Sequence, residues 1–424
     1  MDEFSHVCLD SRNAQKGSLF FALKGERTDG HAFLSQAYKN GAATAVVSQD
    51  FSGQAPDGLR LIRVADTLLE LQRRARERVK KVAPFIIAIT GSYGKTTTKD
   101  FLSSLLAPYY TSVATIGSQN SQAGLPMFIL NNLQHHHTHL VVEMGMDEKG
   151  GIRRLIDIAP PDIAMITSIG LVHAENFEGL SEIAHAKAEI FEHPKTTLCL
   201  YNSDTHHADI LARIAGQRGR SFGQSGYTSY LLSEELQITE NNQTQHLPLP
   251  TFDAPHLYDN LLAAIAAARA TGLSWQQIDK AFSNLKTPER RLQRTSLNGI
   301  EFINDSYNAS EVPMKAALST LSRQSQKRKI GVLAEMLCLG NVSHECHRRV
   351  GEHALDCADQ LFCLGKECLP IVDVWKDNNR DVYWFSSKEE LVSELKSHLR
   401  EGDVVLLKGS KSHQLWTILE ALSQ

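Results

Sequence analysis

Short runs of apolar residues alternate with amphipathic stretches along most of the chain. Three apolar runs are FIIAIT at 85–90, HLVVE at 139–143 and DVVLLK at 403–408. Such runs predict buried strands, and the segments between them, with apolar residues every three or four positions, predict helices that cover a sheet. The alternation therefore predicts an α/β protein with doubly wound, mainly parallel sheets.

The chain is long enough for more than one hydrophobic core, because it has 424 residues. A basic amphipathic helix is predicted at 67–81 and is broken by Pro84, and a new strand-and-loop pattern begins near Arg294. We expect three domains: a small N-terminal α/β domain at 1–83, a central domain at 84–293 and a C-terminal Rossmann-like domain at 294–424.

The stretch GSYGKTTTKD at 91–100 joins a predicted strand to a predicted helix. Gly91 and Gly94 allow the backbone N–H groups of the turn to face an anion, Lys95 would neutralise phosphates, and Thr96 would offer its hydroxyl to Mg²⁺. Ile89 stands where the general phosphate-loop pattern has its first glycine. A plain glycine turn before a helix is the alternative, but strand, loop and helix occur in the order that nucleotide binding requires.

Three further residues are candidates for a metal or catalytic site. Glu143 ends a predicted strand, where α/β sheets place ligand chemistry, and His173 lies in the loop after another predicted strand. Lys187 lies on the apolar stripe of a helix predicted at 181–193, so it is either a surface lysine whose stem crosses that stripe or a desolvated functional amine. The pattern alone does not decide between these two.

In the first segment, Ser11 and Arg12 lie beside predicted turns, where they could hold a diphosphate or a uracil edge. A polar loop face explains the same pattern.

The charge balance of 44 Lys plus Arg against 48 Asp plus Glu, without a long basic run, excludes nucleic acid as the main partner. The apolar run 261–268 is too short to span a membrane, and the N-terminus has no signal-peptide pattern. We expect a cytoplasmic protein whose seven cysteines are reduced.

Several motifs occur in a fixed order: ITGSYGKTTTKD, VVEMG, SIGLVHAENF, AHAKAEIF and INDSYNAS, with LDSR near the start and LLKGSK near the end. This set resembles the Mur ligases, ATP-dependent amide-forming enzymes of peptidoglycan precursor synthesis. The resemblance covers essentially the whole chain. It implies a monomer that joins D-alanyl-D-alanine to UDP-N-acetylmuramoyl-tripeptide through an acyl phosphate, with the C-terminal domain as a mobile lid.

The resemblance also implies roles for individual residues. It implies an ATP site made of Gly91, Ser92, Gly94, Lys95, Thr96, Thr97, Asn260, Arg291 and Asp305. It implies two Mg²⁺ sites, the first on Thr96 and Glu143 and the second on His173 and a carbamylated Lys187. It implies substrate contacts from Ser11, Arg12, Asn120, Tyr307 and Asn308. Lys95, Glu143, His173, Lys187 and Arg291 are the expected catalytic residues.

Four positions depart from the family pattern: Leu257 and Ser121 replace asparagines, Glu335 replaces an aspartate, and Lys411 replaces an arginine.

Two other functions compete with the amide ligation that the resemblance implies. One is a sister ligase that adds a single amino acid, or a folate or cyanophycin relative, and the DSYNA motif argues against it. The other is a nucleotide-gated binding module without turnover, and the presence of Glu143, His173 and Lys187 argues against that.

Overall fold

The structure is a computed structural model. It describes residues 4–25, 28–117, 119–172, 174–232, 235–250, 252, 255–282, 285, 289–325 and 328–423. Three separate sheets account for all the strands of these residues.

The N-terminal sheet is parallel and four-stranded, in the order β1-β2-β3-β4. Its elements are β1 (Val7–Cys8), β2 (Ser18–Phe21), α1 (Leu34–Lys39), β3 (Ala42–Ser48), β4 (Arg60–Val64) and α2 (Thr67–Val82). The Asp66 side chain caps α2 by accepting the N–H groups of Leu68 and Leu69, at 2.8 and 2.9 Å. The helix ends at Ala83, which has a left-handed φ of 51°.

The central sheet has nine strands in the order β13-β12-β11-β10-β9-β8-β5-β7-β6. Its strands are β5 (Phe85–Thr90), β6 (Ser112–Ala114), β7 (His139–Glu143), β8 (Ile163–Ile166), β9 (Leu198–Asn202), β10 (Gly219–Phe222), β11 (Thr228–Leu232), β12 (Leu236–Glu240) and β13 (Gln243–Leu247). Its helices are α3 (Lys95–Leu106), α4 (Gly124–Asn132), α5 (Gly151–Ile158), α6 (Leu180–Ala188), α7 (Ala208–Ala215), α8 (Pro255–Ala270) and α9 (Trp275–Phe282). The pairs β11–β12 and β12–β13 are antiparallel, and the other neighbouring strands of this sheet are parallel.

Strand β5 lies between β7 and β8 in the sheet. Helices cover both of its faces. Residues 86–89 are fully buried, as the uninterrupted apolar run predicts. One face packs against α3 and α8, and the other lies in the cluster that contains residues of α4 and α5. The carboxyl ends of β5, β7 and β8 therefore meet at one edge of the sheet, where the polar residues of the next subsection lie.

The C-terminal sheet has six strands in the order β14-β15-β19-β16-β17-β18, with only β14 antiparallel. Its strands are β14 (Gln293–Leu297), β15 (Ile300–Asn304), β16 (Arg328–Ala334), β17 (Gln360–Leu364), β18 (Asp381–Phe385) and β19 (Asp403–Lys408). Its helices are α10 (Glu311–Ser322), α11 (Ser343–Ala354), α12 (Leu369–Asp377), α13 (Lys388–His398) and α14 (Thr417–Ser423). The α/β prediction with mainly parallel sheets is confirmed.

Two helix boundaries differ from the prediction. The helix predicted at 181–193 ends at Ala188 and continues as a 3₁₀ turn at Glu189–Phe191. The Glu189 carboxylate accepts the backbone N–H groups of Gly150 and Arg153, at 2.8 and 3.0 Å, and so caps α5 instead of extending α6. The pattern at 258–270 predicts a helix with Asn260 at its start, and the second difference is that α8 begins earlier, at Pro255. None of the described helices is long and apolar enough to cross a membrane.

Candidate active site

The phosphate loop adopts a tight turn between β5 and α3. Gly94 has a left-handed φ of 85°, and a Cβ atom there would lie 2.2 Å from Asn260 Oδ1. A Cβ atom at Gly91 would lie 2.0 Å from Thr167 Oγ1. Both positions therefore require glycine. Lys95, the first residue of α3, donates from Nζ to the Gly91 carbonyl at 2.6 Å, so its charge lies over the turn.

Glu143 ends β7 beside this turn, and both of its carboxylate oxygens accept hydrogen bonds. The Thr96 hydroxyl donates to Oε2 at 2.8 Å, and Asn120 Nδ2 donates to Oε1 at 2.7 Å. The Glu143 backbone N–H donates to Thr115 Oγ1 at 3.0 Å. The carboxylate and the hydroxyl are hard oxygen ligands in contact with each other, as a Mg²⁺ site requires.

Lys99 helps to orient Glu143 through Thr115, a role that the sequence did not reveal. Its side chain is buried, and Nζ donates to the Thr115 carbonyl at 2.5 Å. Because the Thr115 hydroxyl accepts the Glu143 N–H, Lys99 anchors the segment that orients Glu143. The only sequence signal was a second lysine on the first turns of α3, which also suits an exposed helix face.

Lys187 is buried, with 2% of its surface exposed, so it is a desolvated lysine and not a surface lysine, and its functional role stays a prediction. Burial, followed by the charge of Lys95, lowers the pKa of Lys187 well below its usual value, while Asp147 and Glu143 act in the opposite direction. Its predicted partner His173 lies outside the described residues. No group of three or more His, Cys, Asp or Glu with metal-site geometry occurs among the residues that the structure describes.

A cavity of about 950 Å³ brings these groups together. Its wall contains the predicted residues Ser92, Gly94, Lys95, Thr96, Asn120, Glu143, Lys187, Arg291, Tyr307 and Asn308. The central and C-terminal domains both contribute, and they also meet where the Ala174 N–H donates to the Cys338 carbonyl at 3.2 Å. The cavity therefore lies between two domains, a usual place for a ligand site.

Arg291 and Tyr307 form a stacked pair on the C-terminal side of this cavity. The Arg291 guanidinium carbon lies 4.2 Å from the centroid of the Tyr307 ring. Arg291 Nε is buried and has no hydrogen-bond partner among the described residues. Burial, and then the charge of Glu143, raise the pKa of Tyr307. Arg291 thus presents a donor that an anionic ligand in the cavity can satisfy.

A second cavity adjoins the first and shares Gly94 and Arg291 with it. Its lining includes the apolar residues Leu257, Val312, Pro313 and Ala316 and the polar residues Ser168, Asn202, Asp259, Asn260 and Asp305. Asn260 Oδ1 accepts the Thr98 hydroxyl at 3.3 Å, which fixes its amide in the wall. Apolar groups for a ring face and polar groups for its edge suit a nucleoside next to the phosphate loop.

Asp259 is a partly buried acid in this second cavity. The Tyr230 hydroxyl donates to its Oδ1 at 3.0 Å. Burial raises the pKa of Asp259 to about 6, although the Tyr230 hydrogen bond lowers it, and the nearby Asp204 adds to the increase. A carboxyl group whose pKa is raised on folding lowers the stability of the native state as the pH rises from its unfolded pKa through its folded pKa.

We therefore expect Asp259→Asn to stabilise the protein at pH 8 by about 1–3 kcal/mol. The asparagine keeps an acceptor for Tyr230 and carries no charge. Since the carboxyl group titrates near its ordinary pKa of 3.8 in the unfolded chain and near 6 in the folded protein, the gain should disappear as the pH falls through this interval. Urea unfolding at pH 8 and pH 4.5 measures it, with Asp373→Asn, at an exposed position of α12, as the control. A gain that is equal at both pH values would contradict the assignment.

Ser11 and Arg12 lie apart from both cavities. Ser11 is buried, and its carbonyl accepts Asn40 Nδ2 at 2.8 Å. The Arg12 side chain is 84% exposed and pairs with Asp10 at 2.6 Å. Of the described residues in 4–83, none lines either cavity. The structure therefore does not bring these two predicted substrate residues to the phosphate loop.

Family models match the chain in three consecutive segments. They are described as Mur ligase family, catalytic domain, at 3–77; Mur ligase middle domain at 89–268; and Mur ligase, glutamate ligase domain, at 290–411. Together they cover most of the chain. The chain belongs to the Mur ligase family. The resemblance read from the motifs is confirmed, and the phosphate loop with Glu143 and Lys187 lies in the Mur ligase middle domain.

Individual Mur ligases match over nearly the full chain. The UDP-N-acetylmuramoyl-tripeptide–D-alanyl-D-alanine ligase of Bacillus subtilis is 33% identical, over 98% of this chain and 92% of its own length. The crystal structure of MurF from Acinetobacter baumannii superposes with a TM-score of 0.87 at 29% identity, covering 99% of this chain and 93% of that one. The MurF ligase of Thermotoga maritima, solved in complex with ADP, superposes with a TM-score of 0.85 at 26% identity, covering 100% and 98%.

The four departures from the Mur ligase pattern lie around the two cavities. Leu257 lines the second cavity, while Ser121 and Lys411 line the first. Glu335 lines neither cavity, and its carboxylate lies 3.0 Å from His413 Nε2. Three of the four positions therefore lie in the walls of the two cavities.

Proposed function

We propose that this Mur ligase joins D-alanyl-D-alanine to UDP-N-acetylmuramoyl-tripeptide at the expense of ATP, in peptidoglycan precursor synthesis. The observation that carries the proposal is the single cavity between two domains, in which Lys95, Thr96, Glu143, Lys187 and Arg291 converge. The names of the full-length relatives support the choice of acceptor and donor. We assign the chemistry to three proposed domains, residues 1–83, 84–293 and 294–424.

Each part of the first cavity has a separate task in this reaction. The terminal carboxylate of the tripeptide attacks the γ-phosphate of ATP, which gives an acyl phosphate and ADP. The amine of D-alanyl-D-alanine then attacks the acyl carbon and displaces phosphate. Lys95 and Arg291 offset the repulsion between the attacking carboxylate and the phosphates, so catalysis rests on positioning and electrostatics. Closure of the cavity by the C-terminal domain protects the acyl phosphate from water.

The nucleotide is assigned to the phosphate loop, residues 91–97, and to the second cavity. Asn260 and Asp305 both line this cavity, and we assign Asn260 to the base and Asp305 to the ribose. Asn120, Tyr307 and Asn308 line the first cavity and are assigned to the UDP-linked peptide. Ser11 and Arg12 remain assigned to the uridine end of this substrate. Because the substrate is long, that end would reach from the first cavity to the N-terminal domain.

We propose two Mg²⁺ ions for this reaction. Thr96 and Glu143 would hold the first, and their contact of 2.8 Å already pairs two hard oxygen ligands. Lys187 and His173 would hold the second once Lys187 carries a carbamate. Magnesium would neutralise phosphate charge during transfer. We further propose that the protein acts in the cytoplasm as a monomer.

The burial of Lys187 supports the proposed carbamylation. An amine whose charged form is disfavoured is available as the neutral nucleophile that adds to CO₂, forming an N–C bond and releasing one proton. The product is an anion with two oxygen ligands, where an unpaired buried ammonium would be costly. Carbamylation therefore converts an unfavourable cation into a metal ligand.

An acceptor panel tests the proposed reaction. The protein is incubated with ATP, Mg²⁺ and UDP-N-acetylmuramoyl-tripeptide, together with D-alanyl-D-alanine, D-alanine, L-lysine or L-glutamate, and the UDP-linked products are analysed by mass spectrometry. We expect a product extended by the dipeptide and no product with the single amino acids. Extension by one amino acid would identify a sister ligase instead, and no extension with any acceptor would favour a binding module.

A further inference from the structure

Lys408, the last residue of β19, forms a buried ion pair with Asp305. Lys408 Nζ lies 2.7 Å from Asp305 Oδ2, and the two side chains are 1% and 6% exposed. The same Nζ donates to the backbone carbonyls of Asp305 and Asn308, at 3.1 and 2.8 Å. An ammonium group has three N–H donors, and all three are directed at the single loop 305–308. This loop carries Tyr307 and Asn308 into the first cavity.

The second carboxylate oxygen of Asp305 reaches the linker between the central and C-terminal domains. Asp305 Oδ1 accepts the backbone N–H of Leu292 at 3.3 Å. Leu292 directly follows Arg291, whose guanidinium stacks on the Tyr307 ring. Asp305 is thus a junction that connects Lys408 on the sheet with the backbone next to Arg291.

The linker has an unusual backbone on both sides of Arg291. Arg290 and Leu292 have φ angles of 59° and 53°, a left-handed conformation that residues with a Cβ atom rarely adopt. Such conformations persist only where the surroundings hold them, and they concentrate at functional sites. The surroundings here are Trp416, on which Arg290 packs at 4.1 Å, and the Asp305 carboxylate.

We propose that Lys408 is a positioning residue for phosphoryl transfer, which holds Arg291 in place through Asp305 and the linker. The inference rests on the proposed role of Arg291. Burying an ion pair yields little net stability compared with apolar residues, so its use here is better explained by the geometry that it fixes. Burial also lowers the pKa of Lys408, and the Asp305 charge opposes this, as expected for a lysine kept for its contacts.

A double-mutant cycle tests the connection. The variant Lys408→Met/Asp305→Asn removes both charges together, and its asparagine keeps an oxygen for the Leu292 N–H. We expect it to lower kcat by about 10- to 100-fold, because a small displacement of a charge-stabilising group is costly. Because Asp305 and Lys408 also line the second cavity, the KM for ATP is measured in parallel, and a rise in KM with an unchanged kcat would contradict the inference. The same pair of changes in an Arg291→Gln background should lower kcat by less than about 3-fold further, because the residue through which it acts is already lost.

The outcomes separate this inference from the proposed function. If Arg291→Gln is severe and the paired change lowers kcat by the same factor in both backgrounds, Lys408 acts independently of Arg291 and the inference is wrong. An unchanged kcat in the paired variant also overturns it. If Arg291→Gln alone leaves kcat unchanged, the proposed role of Arg291 is wrong, and the inference is wrong with it. If circular dichroism shows that the paired variant does not fold, Asp305→Asn alone is tested in the same double-mutant cycle with the same criteria.

Discussion

Replacing Lys95 by alanine is expected to lower the rate of ligation by about 1,000-fold or more, because the charge over the phosphate loop is lost. Lys95 Nζ lies 2.6 Å from the Gly91 carbonyl, within the turn assigned to the phosphates. Binding of the UDP-linked tripeptide should be almost unaffected, since its uridine end is assigned to a different domain. Ligation assays and isothermal titration calorimetry with the UDP-substrate measure the two effects separately.

The matched control is Lys39→Ala, which removes an exposed lysine at the end of α1 and should leave both quantities unchanged. Thermal unfolding of the Lys95 variant establishes that it is folded. Equal losses of ligation and of UDP-substrate binding in a folded Lys95→Ala protein would contradict the separation of the two sites.

Lys187→Ala is expected to have a comparably large effect, a loss of about 100- to 1,000-fold in kcat, because it removes a proposed metal ligand. A short carboxylate such as acetate or propionate should restore part of the activity by supplying oxygen atoms in the vacated space. Lys376→Ala, at an exposed position of α12, is the control for non-specific effects of the added salt. An alanine variant that keeps most of its activity would contradict the proposed role of Lys187.

The carbamate itself can be detected without an activity assay. In the protein equilibrated with ¹³C-bicarbonate and Mg²⁺, a carbamate carbon signal should appear in the ¹³C spectrum and be absent from Lys187→Ala. A spectrum of the wild-type protein without this signal, at saturating bicarbonate, would mean that Lys187 acts as an amine.

Features that depend on local sequence were predictable. The apolar run 85–90, the glycine turn and α3 follow from residues that are neighbours in the chain, and so does the Ser387 cap, whose Oγ accepts the Glu390 N–H at 3.3 Å. The burial of Lys187 was one of two alternatives left open by the helix pattern, and packing of α6 into the core decides between them.

Features that depend on distant segments were not predictable. Lys408 and Asp305 are separated by more than 100 positions, and a terminal lysine on an apolar strand gives no sign of its partner. The hydrogen bond from Lys99 Nζ to the Thr115 carbonyl also joins a helix to a loop, and the sequence gives no sign of this contact. Periodicity reports which side of an element is buried, and it does not report which other element covers it.

The measurement that tests the central claim most directly is the substrate dependence of phosphate release. ADP and phosphate are quantified with ATP and Mg²⁺ alone, with either UDP-N-acetylmuramoyl-tripeptide or D-alanyl-D-alanine added, and with both. A ligase that passes through an acyl phosphate should release phosphate in sustained turnover only when both are present, in a 1:1 ratio to the pentapeptide product. Release that is equally fast with neither substrate, or no release with both, would contradict the account.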